Sequence, residues 1–222
     1  MRKLWLLLGA VLALVAAAVS VWLFSGGGNP ENQFSIPDEI LICLDAGHGG
    51  HDVGAVNGDR YEKDDNLRMA QAVREKLESA GFDNLSVLMT RTDDTFLELE
   101  ERVQIANNAN STLFISFHRN SGGGQGVETW TSAEGLWPET ALATYIQTNL
   151  AQAEIPRDRG VKKGTASNPH ASYYVVGHTE MPACLIELGF IDSGEDNLAF
   201  DRQFDRWAQA IADGILQMVA LK

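Results

Sequence analysis

Four polar residues in this chain have the types that hydrolytic metal chemistry requires: His48, Glu62, His118 and Glu187. Each stands where an apolar, strand-like run gives way to glycine or to charge. Two imidazoles and two carboxylates are the parts of a catalytic zinc site, which needs three protein ligands, an open position for water, and a general base. Taken singly, each residue also has an ordinary structural explanation. A histidine in a glycine loop can cap a turn, Glu62 can be an exposed charge ahead of a helix, and His118 can be a semi-buried imidazole with its bonds made. Glu187 resists that treatment, because a carboxylate between Ile186 and Leu188 on an apolar strand is costly unless paired, protonated or on a metal. The joint occurrence at strand ends points to a hydrolase.

Such a site needs rigid elements to position it, and the hydrophobic pattern supplies them. The apolar run 40–44 ends in the glycine loop Asp45-Ala46-Gly47-His48-Gly49-Gly50, and further strands are expected at 85–90, 113–117, 126–131, 173–176 and 183–188. Helical spacing marks 66–80, with Gly81 in the C-cap position, and also 97–107, 139–153 and 204–221. Alternating strands and helices predict a single α/β domain with a mostly parallel central sheet flanked by helices. In that architecture sites gather at the carboxyl ends of strands, where His48, His118 and Glu187 fall.

The chain ahead of the domain has a different character. Arg2 and Lys3 precede 21 residues, 4–24, that carry no charge and only Ser20 as a hydroxyl. As a helix this run spans roughly 31 Å, enough to cross a bilayer core. The predicted organisation is therefore a membrane anchor or signal segment at 1–24, a glycine-rich flexible linker at 25–33, and a catalytic domain at 34–222. A retained transmembrane helix is favoured over a cleaved signal, because Val21 to Phe24 continue the apolar run past Ala16, Ala17 and Ala18. Positive charge at the short N-terminal end keeps that end cytoplasmic. The expected location is the outer face of the cytoplasmic membrane, facing the cell wall or periplasm, or secreted if the segment is cut.

A formal charge of −13 excludes nucleic acid as a partner, since phosphate binding needs clustered Lys and Arg. Cys43 and Cys184 lie in apolar runs and are expected as buried free thiols, with a disulfide between neighbouring strands as the alternative.

Five segments carry a family resemblance. LDAGHGGHDVGA (44–55), YEKDDNLRMA (61–70), MTRTDD (89–94), LFISFHRNS (113–121) and MPACLIELGFIDSGEDN (181–197) resemble, in order and spacing, the zinc-dependent N-acetylmuramoyl-L-alanine amidases of the amidase type 3 family. The resemblance implies that His48, Glu62 and His118 hold Zn2+ and that Glu187 is the catalytic general base and acid. It implies peptidoglycan as substrate, cleaved by a zinc-activated water at the amide between N-acetylmuramic acid and L-alanine. Asn120 matches a family position, and two readings are open for it: orienting the substrate amide, or stabilising a turn. Arg119 stands where many relatives have a small residue. Two readings are open for it: a cleft residue gripping a stem-peptide carboxylate, or a surface arginine. Ala46 replaces a usual proline, and Ser193 a common asparagine.

His51, His170 and His178 are not expected as ligands, and Asp64 and Asp65 are read as helix N-terminal charges. Trp130, Trp137, Tyr173 and Tyr174 are read as core or rim packing. Relatives with an inserted helix across the site are self-inhibited, and the lack of a long insertion between His118 and Glu187 predicts an open cleft. The alternative function is a catalytically inactive, membrane-tethered peptidoglycan-binding protein on the same fold. A zinc carboxypeptidase or deacetylase shares the metal chemistry but not the order of motifs. A regulatory protein partner is left open.

Overall fold

The computed structural model describes residues 34–221. The anchor expected at 1–24 and the linker expected at 25–33 lie outside the described residues. Among the described residues no helix is long and apolar enough to cross a membrane.

In chain order the elements are β1 (Ile40–Ala46), β2 (Val56–Asn57), β3 (Arg60–Tyr61), α1 (Glu62–Glu78), β4 (Leu85–Met89), α2 (Leu99–Asn108) and β5 (Leu113–Asn120). They continue with β6 (Val127–Thr131), α3 (Trp137–Gln152), β7 (Asp158–Lys163), α4 (Tyr174–His178), β8 (Ala183–Phe190), α5 (Gly194–Arg202) and α6 (Phe204–Val219). Six strands form one sheet in the order β4-β1-β5-β8-β6-β7, and β2 and β3 pair separately. Every neighbouring pair in the large sheet is parallel except β6 with β8, which is antiparallel. The mostly parallel sheet expected from the alternation is present.

The central strands read as continuous apolar runs because helices cover both faces. α1, α3 and α6 pack on one side. Buried Met69, Ala70, Val73 and Leu77 recur at helical spacing on α1, while Trp207, Ala208, Ile211, Ile215 and Met218 form the buried stripe of α6. α3 and α6 approach closely at Gly214, where a Cβ would stand 2.6 Å from the Ile146 Cα. α2 and α4 cover the other face, over a cluster that includes Cys43, Val103, Phe114, Trp130, Val175 and Leu185. Cys43 and Cys184 are free and buried, on β1 and β8 with β5 between them. Burial pushes both thiols well above the usual thiol range.

Four features differ from the sequence expectation. Residues 173–176, expected as a strand, contribute to the short helix α4, because Val175 and Val176 serve as core plugs rather than ladder members. β7 was missed: its sequence DRGVKK is polar because it is the half-exposed edge of the sheet. α5 was missed because its opening Gly-Glu-Asp-Asn reads as a turn. Ser193 supplies the N-cap, its hydroxyl accepting from the Asp196 backbone N–H at 3.2 Å. Finally, α1 begins four residues early, so Glu62 is its first residue and not a charge ahead of it. Glu62 accordingly opens a helix directly after the two-residue strand β3 and is not carried by a strand of the large sheet.

Candidate metal centre

His48 lies two residues beyond β1, in a left-handed conformation with φ 62°. That conformation is unfavourable for a residue with a side chain and persists only where the surroundings impose it. Two buried arginines do so. Arg91 donates to the carbonyls of Ala46 at 2.8 Å and Gly47 at 2.9 Å. Arg102 donates to the carbonyls of Ala46 and His48, each at 2.7 Å, and pairs with buried Asp45 at 2.8 Å. Gly47 is required by close approach, since a Cβ there would stand 2.4 Å from the His118 ring.

Within this frame three side chains converge. Glu62 Oε1 lies 3.2 Å from His48 Nε2 and 2.9 Å from His118 Nδ1, and it accepts the Arg119 backbone N–H at 2.9 Å. Its Oε2 accepts the Ala55 N–H at 2.8 Å, and Asn66 donates to Oε1 at 3.4 Å. The two imidazoles meet edge to face with centroids 4.9 Å apart. On the far side of His48, Nδ1 contacts Asp52 Oδ2 at 2.8 Å, which fixes the ring and directs Nε2 inward. One donor atom from each of His48, Glu62 and His118 falls within 4.8 Å of the others.

The electrostatics match this geometry. Burial works to raise the Glu62 carboxyl, but the hydrogen bonds to His118 and His48 overcome it and hold the group far below the usual carboxylate range. Burial works to lower His48, yet Glu62 and Asp52 raise it to about 9. A site that holds a proton this strongly between an imidazole and a carboxylate equally attracts a cation that displaces the proton.

Glu187 stands on β8 in register with His118 on β5, so the two side chains project to the same face. It is half-buried, but its Oε2 is closed off and has no hydrogen-bond partner among the described residues. Burial pushes its carboxyl up to about 7. A cleft of about 380 Å³ opens over this face, lined by His48, His118 and Glu187 with an apolar wall that includes Phe96, Leu97 and Tyr174. The expected open cleft is thus present, and Tyr173 and Tyr174 form part of its rim.

The structure corrects the expectation that Arg119 grips substrate. Its side chain points to the opposite face of the sheet from His118 and the residue is 2% exposed. There it pairs with Asp65, donates to Asn197 Oδ1 at 2.6 Å, and lies 4.5 Å over the Phe200 ring. Alternation along a strand dictates this, since neighbours of an inward-facing ligand must face away. Asp65 lies in the first turn of α1, as expected, and is also a buried ion-pair partner of Arg60 and Arg119. The side chain of Asn120 donates to Glu128 at 2.9 Å and accepts the Ser121 N–H at 2.9 Å. The metal-ready group among the described residues excludes His51, His170 and His178. Sequence reasoning missed Asp52, Asn66, Arg91 and Arg102. The usable signal was there for Asp52, four residues after His48 in the same glycine loop.

Fold and site together define an α/β domain with a His-Glu-His metal-ready set at the carboxyl ends of its central strands and a lone carboxylate beside it. The chain belongs to the N-acetylmuramoyl-L-alanine amidase family (Amidase_3), which matches residues 42–217. It is 35% identical over 185 residues to the sporulation-specific N-acetylmuramoyl-L-alanine amidase of Bacillus subtilis, a match covering 82% of this chain and 69% of that protein. It is 38% identical over 221 residues to the uncharacterized protein YqiI of the same organism, covering 97% of each. Among solved structures, the catalytic domain of CwlV, an N-acetylmuramoyl-L-alanine amidase from Bacillus (Paenibacillus) polymyxa var. colistinus, superposes with a TM-score of 0.73 at 37% identity. That superposition covers 82% of this chain and 99% of the CwlV domain.

Proposed function

We propose that the chain is a peptidoglycan amidase that hydrolyses the bond between N-acetylmuramic acid and the L-alanine of the stem peptide. Family membership supports the reaction, and the observation that carries the mechanism is the contrast between a carboxylate saturated with donors, Glu62, and one left bare, Glu187. His48, Glu62 and His118 would hold the metal. Two imidazoles and one carboxylate suit zinc, with a position left over for substrate or solvent. When bound, the metal supplies Lewis acidity that acidifies water and draws charge from a carbonyl oxygen.

The protein's own groups do the rest. Glu187, raised to about 7 by burial, is poised to take a proton from the attacking water and return it to the departing alanine nitrogen. Asp52 keeps the His48 ring oriented, and the carbonyl clamps from Arg91 and Arg102 keep its loop rigid. The cleft beside Glu187 has an apolar wall at Phe96, Leu97 and Tyr174. Asn120 bonds Glu128, which stands opposite Glu187 on β6, and its expected role in orienting the substrate amide belongs to this reading. The location proposed is the outer face of the cytoplasmic membrane, anchored through residues 4–24, which confines action to wall within reach of the membrane.

The test is digestion of purified peptidoglycan by the full chain, with and without zinc and beside Glu187→Ala, with products read by mass spectrometry. Zinc-dependent release of intact stem peptides beginning with L-alanine, absent in the variant, is the expected result. A folded, zinc-loaded protein that binds the polymer without releasing peptides would instead establish the inactive binding protein.

A further inference from the structure

The arginine expected to grip a substrate carboxylate is buried behind the sheet, yet another arginine stands on the reaction face. β6 runs antiparallel to β8 and sets Glu128 directly opposite Glu187, and residues opposite one another in a ladder project to the same side. Glu128 is 2% exposed. Its Oε1 accepts from Asn120 at 2.9 Å, and its Oε2 accepts from Arg159 Nε, on β7, at 2.7 Å. The face of the sheet therefore carries a row across four strands, running His118, Glu187, Glu128, Arg159.

Arg159 has capacity to spare. Apart from Nε, its only hydrogen bond among the described residues is a long 3.4 Å contact from Nη1 to the Gln125 carbonyl, and Nη2 donates to nothing. The side chain is 29% exposed, and its Cζ lies 5.0 Å over the Phe190 ring. Glu128 and Phe190 thus fix the plane of the guanidinium while leaving N–H groups unengaged. A planar fork held in this way is built to receive a carboxylate.

We propose that Arg159 binds the free α-carboxylate of the second residue of the stem peptide and so sets the specificity of the amidase; this rests on the amidase reading. The reach is suitable. Sheet spacing puts β7 roughly 10 Å from β8, and two residues of extended peptide span about 7 Å, leaving a gap that an arginine side chain closes. The second stem residue is a γ-linked glutamate, so its α-carboxylate is free of the main chain, and amidation turns the same position into a neutral group. Charge recognition at Arg159 discriminates the two forms.

The experiment uses the zinc-loaded full chain and a pair of muramoyl-L-alanyl-γ-D-glutamyl-L-lysine substrates that differ only in a free or amidated α-carboxyl on the second residue. The wild type is expected to favour the free acid. Arg159→Met should raise KM for the acid by about 10- to 100-fold with kcat within about twofold, while KM for the amidated substrate moves less than about threefold. Arg159→Lys, which keeps the charge but not the fork, should retain part of the preference and carries the test if the methionine variant fails to fold. An equal rise in KM for both substrates, or none for either, overturns the proposal while leaving the amidase reading intact. Cleavage of neither substrate by the wild type overturns the amidase reading and the proposal together.

Discussion

Glu62 and Glu187 both stand beside His118, but the halves of the molecule that carry them are built on opposite plans. On the β1–α1 side the ligand-bearing groups are densely bonded: Glu62 is ringed by two imidazoles, two backbone N–H groups and Asn66, and the loop carbonyls are taken by Arg91 and Arg102. On the β8 side Glu187 Oε2 is buried without a partner. The same residue type is held far below its usual range in one half and raised to about 7 in the other. Saturation suits a group that must stay ionised and still; deprivation suits one that must gain and lose a proton. Environments that push paired carboxylates apart in this way divide the roles of holding and reacting.

The comparison breaks most visibly at Glu187. Glu187→Gln should lower kcat by about 10²- to 10⁴-fold, the usual share of general acid–base catalysis, with zinc content by atomic absorption unchanged. A comparable loss of zinc would place Glu187 among the holding groups. Next comes the saturated half: Arg119→Met removes one of the two guanidiniums on Asp65, leaving Arg60 at 2.7 Å, and should cost about 1.5 to 3 kcal/mol of unfolding free energy in denaturant titration. KM should stay where it was; a raised KM at full stability would return Arg119 to the cleft. Asp52→Asn weakens the support of one ring only, so zinc affinity measured by chelator competition should fall about 10- to 100-fold, with the fold retained. Unchanged affinity would mean that the Arg91 and Arg102 clamps alone orient His48. The smallest effect is expected at the thiols. Cys43 and Cys184 should stay unmodified by iodoacetamide in the native protein and react only on unfolding, and rapid native labelling would expose an opening of the β1–β8 core.

The sequence made the ligand set legible because chemistry demands particular residue types, and the apolar runs marked by β-branched residues located β1, β5 and β8. What it concealed depends on packing. Arg119 and Asp65 look like surface charges until strand alternation and the first turn of α1 turn them toward each other. Arg91 and Arg102 act through main-chain carbonyls, a target that leaves no mark in residue identity. β7 hid because an edge strand has one partner and little apolar content. Residues 173–176 misled because β-branched valines serve a short core helix as well as a strand.

β8 lies in the middle of the sheet yet is the last strand of the chain, slotted between β5 and β6. The segment joining those two strands crosses over its carboxyl end, where Asp192 accepts the backbone N–H groups of Gly122 and Gly123 at 3.0 and 2.8 Å. The consequence concerns order of assembly. A growing chain possesses His48, Glu62 and His118 long before it possesses Glu187, and its sheet has a gap where β8 belongs. Pairing across so long a stretch of chain is among the slower steps of folding. Under the proposed mechanism, Glu187 joins His48, Glu62 and His118 only when this final strand closes the sheet, so the topology ties completion of the site to completion of the domain.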